Sequence, residues 1–414
     1  VDDSEAPFVR WFCGGRTSAA FNEIDRHVLT GHGSDAAFLF EPGPVEGRHD
    51  EQSPRAHCSS SISRLDLLLE ATRAAHELRQ LGLVSTQRLA LFATNTPLAV
   101  VWMSAAKRLG LPYVAVAAGA SRATLESRLA DVAPLVLLTS TELEPTATAA
   151  CESLQAPPRI VVIDKEDGPC GNGSQLDIDN VTEADDAQRA VSLTWRVAAP
   201  VPVEANHPLF VLYTSGSTGR PKGIVHVHGG YAVGLSVTAA LVLGIGSEST
   251  RETLLVVATP GWITGQSYMI GAALLRRTPS VLVDGSPISP ADRLASVIAR
   301  RRVTVLKLGS TIVRALMATP NAAELLAAHD VTSLRRGCFC AEPLTAGVHA
   351  FAHAHLCPDF INCYWATEHG GIVFGRTCAS SEASDEPKLQ LRADARSWPL
   401  PWVDPLVTVS EGDG

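Results

Sequence analysis

The sequence predicts an α/β fold with mostly parallel sheets, on three observations. Short apolar runs typical of buried strands alternate with stretches whose apolar residues recur every three or four positions, as in amphipathic helices. Strands that alternate with helices in this way form β-α-β units, which build parallel sheets. The 414 residues are 46% hydrophobic and 19% charged, so the chain can bury a large core. This length suits two or three average domains, or one large unit with subdomains.

The alternation begins at Ser63. Apolar residues at helical spacing predict a helix from Ser63 that ends at Gly82. A second predicted helix has Pro97 near its first turn and Gly110 at its end, the positions that each residue favours. The other elements predicted here are strands at Leu89 to Phe92, Tyr113 to Ala117 and Leu135 to Thr139, and a helix at Ala123 to Leu129.

The same pattern resumes after a polar stretch, Gly168 to Gln188, which is either a linker or an exposed loop within one domain. We expect a helix to begin at Ser289-Pro290, because serine caps helices and proline suits the first helical position. The predicted strands are Leu209 to Tyr213, Leu254 to Val257, Val281 to Val283, Val303 to Leu306 and Arg336 to Phe339. The opening stretch, 8–27, lacks periodicity and predicts an irregular, partly buried arm.

Charge and cysteine content argue against several classes of protein. The net charge of −9 argues against a nucleic-acid partner, since surfaces that bind nucleic acid are basic. The nine cysteines form no C-x-x-C pair, which favours reduced thiols and a cytoplasmic protein. No apolar run is long enough to span a bilayer and no signal peptide is recognised, so we expect no membrane partner.

A loop rich in glycine and hydroxyl groups follows the strand at Leu209 to Tyr213. Its sequence is Thr214-Ser-Gly-Ser-Thr-Gly219, and Lys222 lies three residues further on. Glycine lets successive backbone amides point at one anion, so we interpret the loop as a phosphate cradle; a plain loop can have the same composition. The P-loop of nucleotide hydrolases is excluded, because it requires Ser or Thr after the lysine and Gly223 stands there.

A second stretch, Phe360 to Gly371, predicts a strand that carries Tyr364, Thr367 and Glu368 to its carboxyl end. Open α/β sheets bind ligands at the carboxyl ends of their strands. Glu368 would supply a hard oxygen ligand for Mg²⁺, which proteins hold with one or two carboxylates plus substrate phosphates. An aromatic core strand with one exposed glutamate is the alternative interpretation.

In this order, these stretches resemble the adenylate-forming enzymes, which include acyl-CoA synthetases, peptide-synthetase adenylation domains and luciferases. The continuation Val225-His-Val-His-Gly-Gly-Tyr231 is similar to that of acetyl- and propionyl-CoA synthetases, as are Trp11-Phe-Cys-Gly-Gly15 and Asn22-Glu-Ile-Asp-Arg-His27 near the start. Cys340-Ala-Glu-Pro343 resembles the family's G-E-P segment, and Pro260-Gly-Trp-Ile-Thr-Gly265 its G-W-x-T-G segment. The chain departs from the family pattern at four positions, Ala341 for Gly, Asn362 for Asp, Ala366 for Gln and His369 for Thr.

The resemblance implies the large N-terminal core of such an enzyme, with two αβα subdomains and a small β-rich subdomain, and without the family's C-terminal domain. The expected sections are 1–60 (an arm and loop packed on the core), 61–190 (a first α/β subdomain), 191–378 (a second α/β subdomain) and 379–414 (the start of the β-rich subdomain).

The resemblance also assigns roles residue by residue. Catalytic roles fall to Thr214, Lys222 and Glu368, with Glu368 as the metal ligand. Phosphate binding falls to Thr214, Ser215, Gly216, Ser217, Thr218, Gly219, Lys222 and Thr367. Adenine binding falls to Ala341, Glu342, Pro343, Asn362, Cys363 and Tyr364. The acyl pocket would comprise Trp262, Ile263, Thr264, Cys340 and Trp365, and CoA would meet Ala118 and Gly119. A large side chain such as Trp365 closes a pocket, which favours a short acid.

The implied function is an acyl-CoA ligase that uses ATP, Mg²⁺ and coenzyme A. It would activate a carboxylic acid as an acyl-AMP and then transfer the acyl group to CoA. One alternative is a ligase that takes acyl-AMP from a partner enzyme and performs only the second step. Another is a catalytically weak subunit that binds nucleotide. A missing C-terminal domain or a separate adenylating enzyme would be the protein partner.

Overall fold

Two large, mostly parallel sheets form the framework of the chain, which confirms the predicted α/β fold. The computed structural model describes residues 1–4, 9–43, 61–164, 176, 178–182, 186–214, 221–246, 252–340, 342, 344–378 and 397–406. The strands are β1 (Arg16–Thr17), β2 (Ala36–Glu41), β3 (Ser61–Ser63), β4 (Leu89–Ala93), β5 (Tyr113–Ala117), β6 (Val136–Thr139), β7 (Arg159–Val162), β8 (Val203–Glu204), β9 (Pro208–Thr214), β10 (Lys222–Val227), β11 (Leu254–Val256), β12 (Ser280–Val283), β13 (Val305–Gly309), β14 (Arg336–Cys340) and β15 (Phe360–Asn362).

Helices connect most of these strands. The α-helices are α1 (Arg26–Leu29), α2 (Arg64–Gln80), α3 (Pro97–Leu109), α4 (Arg122–Val132), α5 (Glu144–Cys151), α6 (Ala187–Ala198), α7 (His228–Thr238), α8 (Ala273–Leu275), α9 (Arg293–Arg301), α10 (Ser310–Met317), α11 (Ala322–Ala327) and α12 (Ala346–His355). Segments Phe21–Asp25, Ala239–Leu243 and Gly265–Ala272 are π-helical, and Thr367–His369 is a 3₁₀ turn.

The six-stranded sheet has the order β10-β9-β5-β4-β6-β7, and the seven-stranded sheet has the order β15-β14-β13-β11-β12-β2-β3. In each sheet only one pair is antiparallel, β10 with β9 and β3 with β2. Side chains tie the two sheets together. Asn95, just after the carboxyl end of β4, donates through Nδ2 to the carbonyl of Val283 at the end of β12 (3.0 Å), and Tyr113 at the start of β5 donates to Gln266 Oε1 (2.7 Å). Both predicted motifs follow the carboxyl end of a strand, β9 and β15.

Local sequence signals set several helix ends as expected. Ser63 and Asp66 cap α2 reciprocally, since the Asp66 amide donates to Ser63 Oγ (3.0 Å) and the Ser63 amide donates to the Asp66 carboxylate (3.2 Å). Helix α3 starts at Pro97 and ends at Gly110, whose φ of 68° suits glycine. Helix α9, however, begins at Arg293 and not at Ser289-Pro290. The Pro290 carbonyl accepts from the Arg293 amide (3.0 Å), so these residues form a turn ahead of the helix.

The opening arm is more ordered than the sequence predicts. Helical turns run from Phe21 to Leu29, and their acidic residues are buried. Lys107 donates to the Glu23 carboxylate (2.7 Å), and Arg108 pairs with Asp25 (2.8 Å), which also accepts from Trp195 Nε1 (2.7 Å). The expectation of an irregular arm was wrong, because buried ion pairs and the buried apolar residues Ala20, Ile24 and Val28, at four-residue spacing, hold this segment inside the protein.

The sheets do not follow the sections expected from the sequence. Residue 190 falls inside α6, β9 and β10 join the sheet of the first section, and β2 and β3 join that of the second. Linear composition does not reveal which sheet a strand joins. Most of the predicted linker and of the predicted β-rich section 379–414 lies outside the described residues. In the part that is described, no helix is long and apolar enough to cross a bilayer.

The buried pair between Asp25 and Arg108 yields a stability prediction. Asp25→Ala should lower the free energy of unfolding by about 3–5 kcal/mol, because it leaves the fully buried Arg108 guanidinium without its counter-charge. Glu152→Ala, which removes an exposed ion pair with Arg122, should change it little. Chemical denaturation measures both, and an equal effect of the two substitutions would contradict the role given to Asp25.

Candidate active site

The predicted phosphate loop joins two antiparallel strands. Thr214 ends β9 and lies directly opposite Lys222, which begins β10. Lys222 is exposed and forms no ion pair with any described residue. The loop residues Ser215, Gly216, Ser217, Thr218 and Gly219 lie outside the described residues. A P-loop leads from a strand into a helix, so this strand-to-strand connection agrees with its exclusion.

The second motif is a turn and not a long strand. Strand β15 ends at Asn362, and Tyr364 then pairs with Phe374 through an isolated bridge. Thr367–His369 forms a 3₁₀ turn that ends at Gly370, whose φ is 72°. Glu368 is exposed on this turn. The prediction that a strand carries these side chains was wrong, because the peptide after Cys363 bonds back to Phe374 instead of continuing the ladder.

His226 in β10 fixes the turn relative to the phosphate loop. Its ring is buried, and a Cβ at Gly370 would lie 3.0 Å from His226 Cε1. Burial lowers the pKa of His226 to about 4, although a hydrogen bond with the Thr367 backbone and the nearby Glu368 carboxylate act in the opposite direction. Lys222 lies four residues away along β10, about 13 Å. One strand therefore positions both motifs.

The π-helical segment Gly265–Ala272 supports the turn from the other side. Ser267 donates to the Gly370 carbonyl (2.6 Å) and contacts the Tyr231 hydroxyl (3.0 Å). The Ile372 amide donates to the Tyr268 hydroxyl (2.8 Å). No role for Ser267, Tyr268 or His226 was predicted from the sequence, although His226 belongs to the stretch that carries the resemblance.

The predicted acyl residues divide into a buried cluster and an exposed tryptophan. Thr264 bonds the Cys340 thiol, and Trp365 packs edge-to-face on Tyr268 with ring centroids 5.2 Å apart. Cys340 and Trp365 are buried, as is Ile263. Trp262 is instead 65% exposed, so it lies at the surface and not in this cluster.

The predicted CoA residues lie next to the acyl segment. Gly261 packs on the end of β5 so closely that a Cβ there would lie 2.4 Å from the Ala117 backbone nitrogen. Ala118 and Gly119 follow directly in a turn, and Gly119 is exposed. The residues predicted to bind CoA therefore lie next to the segment predicted to line the acyl pocket.

The predicted adenine residues differ in exposure. Tyr364 is 43% exposed, whereas Asn362 and Cys363 are buried. One carboxylate oxygen of Glu342 accepts from the Thr311 amide (2.6 Å) at the start of α10 and from three side chains, Ser310, Thr311 and Arg314. These bonds lower the pKa of Glu342 despite its partial burial, which raises it. Ala341 and Pro343 lie outside the described residues.

No role was predicted from the sequence for Lys307, a fully buried lysine beside the acyl cluster. Its Nζ donates to Cys338 Sγ (3.3 Å) and lies 4.9 Å and 5.3 Å from the ring centroids of Tyr268 and Trp365. No described carboxylate bonds it. Burial raises the pKa of Cys338, but its bond with Cys363 and the ammonium outweigh burial and lower that pKa to about 6. A lysine inside the apolar strand β13 is the sequence signal for this cluster.

Within the described residues, no three metal-ligating side chains come together. Glu368 alone fits a magnesium site of the kind completed by substrate phosphates and water, since its carboxylate is exposed and its turn is fixed by Gly370.

The chain is similar in sequence to known enzymes. The sequence model of a family described as AMP-binding enzyme matches residues 50–408. The acetyl-coenzyme A synthetase of Mycolicibacterium smegmatis is 29% identical over 100% of this chain and 42% of its own length. That of Mycobacterium bovis is 30% identical over 90% of this chain and 56% of its own length. The 3-hydroxypropionyl-coenzyme A synthetase of Sulfurisphaera tokodaii is 31% identical over 90% and 55%. The chain spans about half the length of the curated relatives it matches.

The contact between Gly370 and His226 yields a prediction about the turn. Gly370→Ala should lower the free energy of unfolding by about 1–2 kcal/mol or more, because a side chain disfavours positive φ and its Cβ would crowd His226. Gly347→Ala in α12, where no atom lies within 4 Å, should be neutral or stabilising. Thermal melting compares the two variants, and equal stabilities would show that the turn tolerates a side chain.

Proposed function

The chain belongs to the AMP-binding enzyme family, and from this premise we propose that it acts as an acyl-CoA ligase of the AMP-forming type on a short carboxylic acid. One observation supports this proposal: β10 and the segment Gly265–Ala272 together hold the two predicted motifs, the phosphate loop and the Thr367–His369 turn. Lys222 starts the strand, and the Thr367–His369 turn packs against His226 near its other end.

The proposed first step is attack by the acid's carboxylate on the α-phosphorus of ATP, which releases pyrophosphate and leaves acyl-AMP. The acid is itself the nucleophile, so the protein has to orient the reactants and stabilise phosphate charge. Amides and hydroxyls of Thr214 to Gly219, with the Lys222 ammonium, would bind phosphate oxygens. Mg²⁺, when bound, would neutralise phosphate charge, and Glu368 would hold it. The exposed ring of Tyr364 would flank the adenine.

The proposed second step transfers the acyl group to coenzyme A. The CoA thiolate would attack the acyl carbonyl to form the thioester, and AMP would leave with the bonding electrons of the acyl C–O bond of the mixed anhydride. Ala118 and Gly119 lie beside the acyl segment through the contact of Gly261 with Ala117, which suits a CoA path past that turn. The cluster of Thr264, Cys340 and Trp365 would hold a short acyl group, since Trp365 and Tyr268 fill the space beyond it.

Removing either charged group should slow the first step. Lys222→Ala and Glu368→Ala should each lower acid-dependent exchange of pyrophosphate into ATP by roughly 100-fold, because each removes stabilisation of the phosphates. Glu324→Ala, which removes an exposed carboxylate on α11, should leave the exchange unchanged.

Two outcomes of this experiment would change the proposal. Parent-level exchange in both variants would remove the phosphate role of Lys222 and the metal role of Glu368. Absence of exchange in the parent, together with formation of acyl-CoA from synthetic acyl-AMP and CoA, would favour the ligase that receives acyl-AMP from a partner.

The buried tryptophan should set the length of the acid. Trp365→Gly should shift preference from acids of two or three carbons toward longer ones, with up to about 0.8 kcal/mol gained per buried methylene. Trp262→Gly should not lengthen the pocket, because Trp262 is exposed. A panel of acids read by mass spectrometry of acyl-CoA gives both profiles. A parent that already prefers long acids would remove Trp365 from the pocket floor.

A further inference from the structure

A second cavity lies away from the acyl cluster, at the opposite end of one helix. The segment Gly265–Ala272 continues into α8, so Thr264 and Leu275 are separated by about 16 Å along the helix axis. At the Leu275 end is a cavity of about 350 Å³. It is lined by Arg26, His27, Thr30, Gly246, Leu275, Arg276 and Arg277.

Positive charge is concentrated at this cavity. Burial lowers the pKa of Arg26, and the neighbouring charges of Arg276 and Arg277 lower it further. Arg64 lies just behind the lining, close enough to His27 to add to this repulsion. Burial and these arginines together depress the pKa of His27 to about 3. The whole chain carries a net charge of −9, so this local excess of cations runs against its overall charge.

Two of the lining arginines, Arg26 and Arg276, bind backbone carbonyls. Arg26 donates to the Leu275 carbonyl (2.9 Å), and Arg276 donates to the carbonyls of Ile245 (3.2 Å) and Gly246 (3.0 Å). No described carboxylate pairs with Arg26 or Arg276. Two buried arginines elsewhere in the described residues do have such partners, since Arg108 pairs with Asp25 and Arg336 pairs with Asp359.

Three acids lie near the cavity. Glu252 accepts from the amide of Gly246, a lining residue (2.8 Å), and pairs with Arg335 (2.9 Å). Glu23 and Asp35 are close enough to affect Arg26 and Arg64, but Glu23 pairs with Lys107 (2.7 Å) and Asp35 pairs with His32 (3.0 Å). These two carboxylates therefore do not neutralise the cluster by direct contact.

Arg64 adds a buried cation behind His27, although it is not part of the cavity lining. The residue is 1% exposed, and among the described residues none of its three guanidinium nitrogens has a hydrogen-bond partner. A buried charge without a counter-charge or hydrogen bonds is strongly unfavourable. Capping of helix carbonyls explains the positions of Arg26 and Arg276, but it explains neither Arg64 nor the open space between the arginines.

We propose that this cavity binds a phosphate group, either inorganic phosphate or the phosphate of a small metabolite. Guanidinium groups bind oxyanions through paired N–H donors. The tetrahedral oxygens of phosphate can accept from several guanidinium groups on different sides, whereas a carboxylate offers two oxygens in one plane. The volume is at the lower end for small-molecule sites, so the ligand is small. This site is separate from the proposed ATP phosphate loop and does not depend on the proposed function.

Calorimetry with inorganic phosphate, glycerol 3-phosphate and citrate tests the proposal. The parent should bind one phosphate or phosphate ester per chain, and Arg276→Gln should weaken binding at least tenfold. Arg122→Gln removes the same charge from an exposed position in α4 and should leave binding unchanged. Lys222→Ala should also leave it unchanged, since that residue belongs to the other phosphate site.

A substitution at the rim provides an independent measurement. Thr30→Glu places a carboxylate in the lining, so it should abolish phosphate binding and raise the melting temperature measured without phosphate. Absence of saturable binding, full binding by Arg276→Gln, or loss in Lys222→Ala alone would each overturn the proposal. Binding of citrate but of neither phosphate compound would overturn the choice of phosphate. Tighter binding of the ester than of inorganic phosphate would identify a phosphorylated metabolite as the ligand.

Discussion

The hydrogen bonds of the segment Gly265–Ala272 hold the candidate site together. Ser267 and Tyr268 fix the chain at Gly370 and Ile372, and Thr264, three residues before Ser267, bonds Cys340. A short buried helix with polar side chains thus connects the acyl cluster to the turn that carries Glu368. The bonds of Ser267 and Tyr268 are buried, and a lost partner in such a place costs more than the bond itself contributes.

The framework could be predicted from the sequence, since it depends on local signals. Apolar periodicity identified α2, and Pro97 and Gly110 marked the ends of α3. Pairing across the chain has no local signal, which is why strands β9 and β10 join a sheet that the sequence did not assign to them. The turn at Thr367–His369 was interpreted as a strand because its aromatic residues suit strands, whereas the bridge from Tyr364 to Phe374 determines its path.

The type of a residue does not predict whether a buried charge is paired. Asp25 in the arm and Arg108 in α3 form an ion pair inside the protein, so polar residues form part of the core. Among the described residues Lys307 meets a thiol and two aromatic faces but no carboxylate. The Arg64 guanidinium has no hydrogen-bond partner in that part of the chain. A sequence shows each of these residues as a charge and gives no sign of which will be paired, because the partners come from distant parts of the chain.

The position of β10 has a consequence for how such a protein can diverge. Among the described strands β10 contacts only β9, so it is the edge of its sheet. The stretch between β9 and β10, the predicted phosphate loop, is therefore joined to the sheet through a single ladder of hydrogen bonds. Insertions or substitutions there would disturb one pairing and leave the interior strands β4 and β5 intact. Sequence change at this edge is thus separated from the strands that keep the sheet folded.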